Sequence, residues 1–161
     1  MKRTPLLRKT PLKASKWAHK PSKPLRRTKL AKKSKLPISK LQRKIWEYCK
    51  NITRLKYGNT CYTCSRTGLS GGNWQTGHMW AKASVGAYLK YDLRILRPQC
   101  YHCNINLGGR GADFYVRMLK EVGPEEMVKL EADRQVTVKA YDHYLKILSD
   151  YQMIATEVLK T

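Results

Sequence analysis

Two Cys-x-x-Cys pairs carry the clearest chemistry in this chain: Cys61-Tyr62-Thr63-Cys64 and Cys100-Tyr101-His102-Cys103, the second followed at once by Asn104. Four thiolates from two such knuckles make a tetrahedral shell for one zinc ion. A closed shell leaves no open position, so this Zn2+ is expected to be structural. Its binding would supply about 10–16 kcal/mol of folding free energy. Between the pairs lies a lone histidine, in Gly77-His78-Met79-Trp80. Hydrolysing a phosphodiester needs a base for the water and a cation for the developing charge. A neutral imidazole serves as the base, which makes His78 the candidate catalytic residue. Asn104, fixed directly after a knuckle, is the candidate ligand for a divalent ion. A strand histidine is also, commonly, a packed or solvent-facing residue. The setting between Trp74 and Trp80 in a basic chain favours the chemical reading.

The charge says which substrate such a pair would meet. Lys and Arg number 33 against 11 Asp and Glu, for a net charge of +22 and a pI near 10.0. That excess suits a polyphosphate, so nucleic acid is the expected partner and an anionic membrane surface the weaker one. No apolar run approaches the roughly 18 residues that span a bilayer. The basic N-terminus lacks the apolar stretch of a signal peptide, so a cytoplasmic location is expected. In a reducing compartment paired cysteines mean metal rather than disulfide, which leaves Cys49 as a helical packing residue.

The elements that must position these groups divide the chain into three. Residues 1–36 form a basic arm with 14 Lys or Arg, no acid and four of the seven prolines. Self-repulsion and scarce apolar bulk predict disorder there. Its use is phosphate tracking or, alternatively, solubility. Residues 37–123 are expected to hold a helix and a zinc-bound ββα core. Ser39 is the expected N-cap of a helix to Tyr57, with Leu41, Ile45, Tyr48, Ile52 and Leu55 on its apolar stripe. Arg43 and Lys44 lie on the other face, where they could follow a phosphate backbone. Gly58-Asn59 supplies the stop. Strands are predicted over 73–80 and 92–96, and a helical pattern over 113–121 ends at Gly123. Residues 124–161 are a helical extension, with Pro124 opening one helix and a second expected over 137–159. In the latter, Tyr141, Tyr144, Leu148, Tyr151, Ala155 and Val158 make a seam that either caps the core or forms a homodimer.

The order Cys-x-x-Cys, Gly77-His78-Met79-Trp80, Arg97-Pro98-Gln99-Cys100-Tyr101-His102-Cys103-Asn104 and Gly108-Gly109 resembles the HNH, endonuclease VII-like His-Me finger nucleases. It is more similar to the phage NinG/Rap recombination proteins, from about residue 37 to the C-terminus. The resemblance implies an α+β fold with a treble-clef, ββα-metal core. It implies an endonuclease that depends on Mg2+ or Mn2+ and acts on duplex or branched DNA, Holliday junctions and D-loops included, with other phage recombination proteins and a second copy of the chain as partners. It places His78 as general base and Asn104 as metal ligand. The usual Asp before the histidine is replaced by Gly77, so a second ligand must come from elsewhere: Asp92, Asp113 or Asn106. His102 is either an exposed turn residue or a further metal or phosphate contact. Arg94, Arg97 and Arg110 flank the site and could clamp phosphates or be solvated charges. Trp74 and Trp80 could stack on unpaired bases or pack over the core. The alternative is a zinc-folded nucleic-acid binder without catalysis, of architectural or ribosomal type.

Overall fold

The computed structural model describes residues 35–158. Helix α1 (Ile38–Tyr57) is followed by an antiparallel hairpin, β1 (Trp74–His78) and β2 (Leu96–Cys100), then by α2 (Gly111–Val122), α3 (Pro124–Asp133) and α4 (Ala140–Val158). The expected mixed fold of helices with a small two-stranded sheet is present. Among the described residues no helix is long and apolar enough to cross a membrane. The basic arm, except Lys35 and Leu36, lies outside the described residues. Those two already belong to the domain: Leu36 packs on the core and Lys35 sits 5.3 Å from the centroid of the Tyr141 ring.

Helix α1 is buried through Leu41, Ile45, Cys49 and Ile52, a run of steps of four, four and three. Burying each such side chain fully is worth about 1.5–3 kcal/mol. The expected stripe is therefore corrected: Cys49 lies on the buried line, whereas Leu55 is 62% exposed. The cap is corrected too. Lys40 and Leu41 donate their N–H groups to the Pro37 carbonyl at 3.0 and 3.1 Å, and no side chain caps the helix. Proline sets the entry because it has no N–H to lose at a helix start. Gly58, at φ 69°, closes the other end with its N–H on the Arg54 carbonyl at 2.8 Å.

In the hairpin Trp74 pairs with Cys100, Thr76 with Pro98 and His78 with Leu96. The second strand thus begins where the sequence pattern ends it, because a 3₁₀ turn occupies Leu93–Ile95. Pro98 discourages a strand reading, yet here it costs no ladder bond. Its pair with Thr76 is one whose backbone groups point outward, and the Pro98 carbonyl accepts from Tyr62 N–H at 2.7 Å. That outward bond ties the first knuckle to the strand carrying the second.

Behind the hairpin, α4 lies across α1. Tyr144, Ile147 and Tyr151 are buried in the joint core, and Tyr151 donates its hydroxyl to the Tyr91 carbonyl at 2.6 Å. The expected seam is in this way used inside the chain. The side chain of Val158 and residues 159–161 lie outside the described set. Gly123 (φ 83°) turns α2 into α3, where Pro124 stands at the start as expected, and Phe114, Met118, Met127 and Leu130 close the core from that side.

Candidate functional site

Four sulfurs converge where the first knuckle, the end of β2 and the next turn meet. The Sγ atoms of Cys61, Cys64, Cys100 and Cys103 all lie within 4.8 Å of one another. A tetrahedral zinc shell with Zn–S of about 2.3 Å has S···S edges of about 3.8 Å. Cys64 and Cys100 stand 3.8 Å apart. The donor set therefore fits zinc in both chemistry and spacing. The backbone is shaped for it: Cys61 N–H donates to Arg66 O at 2.7 Å, Ser65 N–H to Cys61 O at 2.9 Å, and Ser65 takes φ 62°. Cys103 N–H points at Cys100 Sγ from 3.4 Å. Leu69 and Trp74 cover the cluster, and Trp74 donates Nε1–H to Gly58 O at 3.1 Å. Trp74 is accordingly a wall of the metal site rather than a free stacking platform.

A second layer links this clamp to the hairpin. Gln99, wholly buried, donates Nε2–H groups to Thr63 Oγ1 at 3.1 Å and to the Gly109 carbonyl at 2.8 Å. The Thr63 hydroxyl, having accepted that bond, is left to donate to Cys61 Sγ at 3.5 Å. Such outer contacts fix ligand orientation. Gln99 also explains Gly77. A Cβ at position 77 would collide with Oε1, Cδ and Cγ of Gln99. Gln99 Oε1 itself has no hydrogen-bond partner.

A cleft of about 380 Å³ opens beside the hairpin, and His78, Asn104 and Trp80 all line it. These three expected site residues are brought together. His78 is the last residue of β1, and Asn104 lies in the π-helical turn over His102–Asn106, one residue beyond a zinc ligand. The His78 ring stacks on Trp46 at 5.4 Å and 9°. Its Nε2 is 3.0 Å from the Lys90 carbonyl. A carbonyl only accepts, so Nε2 carries the proton and Nδ1 keeps a lone pair. Burial holds the imidazole pKa below its usual value of 6.5; the Lys90 carbonyl opposes this, and the Lys82 and Lys90 charges reinforce it. The ring is a neutral base by construction.

The flanking cations behave differently. Arg94 is fully engaged by carboxylates, with Asp92 at 2.8 Å, Asp133 at 2.7 Å and Glu126 at 3.4 Å. Arg97 is buried, with 3% of its side chain exposed; it pairs with Glu121 at 2.7 Å and lies against the Tyr57 and Tyr62 rings. Arg94 is thus an ion-paired residue at the surface, with 40% of its side chain exposed, and Arg97 an ion-paired residue in the interior. Arg110 stays half-exposed at the start of α2, paired with Asp113 at 2.8 Å. Arg43 and Lys44 stand exposed on α1. Trp80 has Arg134 4.7 Å from its centroid, so it packs as well as lining the cleft. Of the proposed second ligands, Asp92 and Asp113 are bound to arginines and Asn106 donates Nδ2–H to His102 Nδ1 at 3.4 Å. None lines the cleft, and neither does any other carboxylate among the described residues. Mg2+ and Mn2+ sites usually rest on carboxylates together with substrate phosphates. Here the lining side chains offer neutral oxygens, those of Gln75, Asn104 and the buried, unpartnered Thr76 hydroxyl. Such a set fits a cation that arrives with a phosphate, not one held in the free protein.

Sequence reasoning did not assign Trp46, Lys82 or Gln99 to this site. Trp46 was visible only as a flank of the α1 stripe. Lys82 follows His78 by four residues in a stretch without a clear pattern, and no local signal marks Gln99.

Fold and site together define a small basic α+β protein with a four-cysteine zinc centre beside a histidine-bearing cleft. The sequence profile of the family described as Bacteriophage Lambda NinG protein matches residues 1–160, and the chain belongs to that family. No curated protein and no solved structure matches it.

Proposed function

We propose that this protein is a structure-specific endonuclease that hydrolyses phosphodiesters in branched DNA, Holliday junctions and D-loops among them, during phage recombination. The hairpin, the zinc knuckle and the turn that follows are read as a ββα-metal core of the His-Me finger type. The observation that carries the proposal is the fixed tautomer of His78: Nε2–H on the Lys90 carbonyl, Nδ1 free, in a cleft shared with Asn104. A purely structural module has no use for a neutral imidazole aimed into an open cleft. In the reaction, a water oxygen forms a bond to phosphorus while its proton passes to His78 Nδ1. The bond from phosphorus to the leaving sugar oxygen breaks, and that oxygen is protonated from solvent. Asn104 would hold a divalent cation, which would supply neutralisation of the charge on the leaving oxygen. The zinc clamp touches no substrate; it fixes Asn104 relative to the hairpin.

Two cuts on opposed strands call for two clefts, so two copies are proposed to act on one junction. With the α4 seam spent on the core, they would meet through other surfaces. The direct test offers a synthetic four-way junction and a linear duplex of the same sequence, with Mg2+ or Mn2+. Nicked strands from the junction and not from the duplex support the reading. Binding of both without cleavage under any divalent ion defeats it and leaves the zinc-folded DNA binder.

A further inference from the structure

We propose that Lys82 is a further catalytic residue of this cleft, its ammonium holding the non-bridging oxygens of the phosphodiester presented to His78. The inference rests on the hydrolytic reading of the cleft and adds the group that binds the reacting phosphate.

Three observations carry it. Lys82 is the one formally charged side chain among the described residues lining the cleft, which contains no carboxylate. Its Nζ lies 4.9 Å from the centroid of Trp46, the same indole on which the His78 ring is stacked. Amine and imidazole thus share one aromatic platform, and a phosphate drawn to the amine arrives beside the base. Finally, no ion pair involves Lys82 among the described residues, so no carboxylate of the fold competes with a phosphate for its ammonium. The turn that carries it is pinned, with Ser84 donating both N–H and Oγ–H to the Ala81 carbonyl at 2.7 and 2.8 Å.

Physical chemistry gives this amine a purpose. The transition state of phosphodiester hydrolysis gathers negative charge on the non-bridging oxygens, and fixed cations stabilise it most in a partly dry cleft. In most metal sites a carboxylate-held cation fills that role; here the protein supplies no anionic ligand, and an unpaired amine stands in the cleft. Partial burial and the neighbouring Lys90 both disfavour its charge, a cost that an incoming phosphate removes.

The test uses the full zinc-loaded chain as wild type, Lys82→Met, Lys82→Arg and, as a control for lost charge, Lys129→Met. Single-turnover cleavage of a four-way junction should fall about 10²–10³-fold in Lys82→Met. Junction affinity should stay within roughly threefold, since one phosphate contact among many is lost. Lys82→Arg should recover part of the rate, and Lys129→Met should cut like wild type. Unchanged cleavage by Lys82→Met overturns the assignment. A wild type that cuts nothing would defeat the hydrolytic reading instead, and a binding arm then decides this one. The dinucleotide thymidylyl-thymidine is titrated while the His78 imidazole nitrogens are followed by NMR. Shifts in the wild type that vanish in Lys82→Met support the phosphate site. Equal shifts in both, or none in the wild type, overturn it. Zinc content and near-UV circular dichroism establish that each variant is folded.

Discussion

A histidine that donates Nε2–H to a backbone carbonyl has only Nδ1 left to accept a proton, so the orientation of His78 and its capacity as a base follow from one hydrogen bond. Its pKa is held down first by burial, with Lys82 and Lys90 adding to the effect. The unfolded chain therefore binds the proton more readily than the folded one, and the neutral ring contributes fully to stability above about pH 6.5. That contribution is lost as pH falls below this value. NMR titration of His78 should give a midpoint below 6.5, and one at or above 6.5 would contradict the description of the cleft. Gly77 is a second test at this scale. Because a Cβ there meets buried Gln99, Gly77→Ala should destabilise the fold by about 1–3 kcal/mol. Gln99→Ala in the same chain should relieve part of that cost, measured by urea unfolding. Additive losses in the double variant would show that the two do not compete for space.

At the scale of elements, the four-cysteine cluster brings together three segments: the first knuckle, the end of β2 and the π-helical turn. Chelation, or Cys103→Ser, should remove one zinc per chain and unfold at least the hairpin, read by metal analysis and circular dichroism. A chain that keeps its hairpin without zinc would contradict this. Arg97 crosses from β2 to Glu121 on α2 and also donates to three backbone carbonyls. Arg97→Ala should cost about 2–4 kcal/mol of stability and leave DNA affinity per folded molecule unchanged. A loss of affinity without a loss of stability would return Arg97 to the DNA surface.

These elements also mark what the sequence could and could not tell. The cysteine spacing, the Gly58 stop and the Gly123-Pro124 boundary are local signals, and the structure follows them; the α1 stripe was legible at Leu41, Ile45 and Ile52 but not at its last turn, where Leu55 is exposed. The start of β2 was missed because the strand runs through Pro98, whose missing N–H matters only once the direction of pairing is known. At Arg94 and Arg97 sequence shows a charge but not the carboxylate that folding brings to it, 24 residues away in the case of Glu121. Trp46 and Lys82 join the cleft from opposite sides of the zinc knuckle in sequence, a meeting that no periodicity reports.

Over the whole molecule, the proposed encounter with DNA can be tested through its dependence on charge. A protein of +22 that engages 6–10 phosphates should lose roughly 10³–10⁵ in affinity between 50 and 200 mM salt. Arg43→Ala with Lys44→Ala should flatten that slope by about two contacts while leaving the chemical step unchanged in saturating protein. An unaltered slope would take this face of α1 out of the interface. The neutral ligand set of the cleft makes a further demand: Mn2+ should bind more tightly to the protein–junction complex than to the protein alone. All of these rest on the claim that His78 takes the proton from the attacking water. That is tested most directly by single-turnover cleavage of a four-way junction by wild type and His78→Ala at equal, saturating occupancy. The account predicts a rate lower by about 10²–10⁴-fold in His78→Ala with junction affinity retained; equal rates in the two proteins would contradict it.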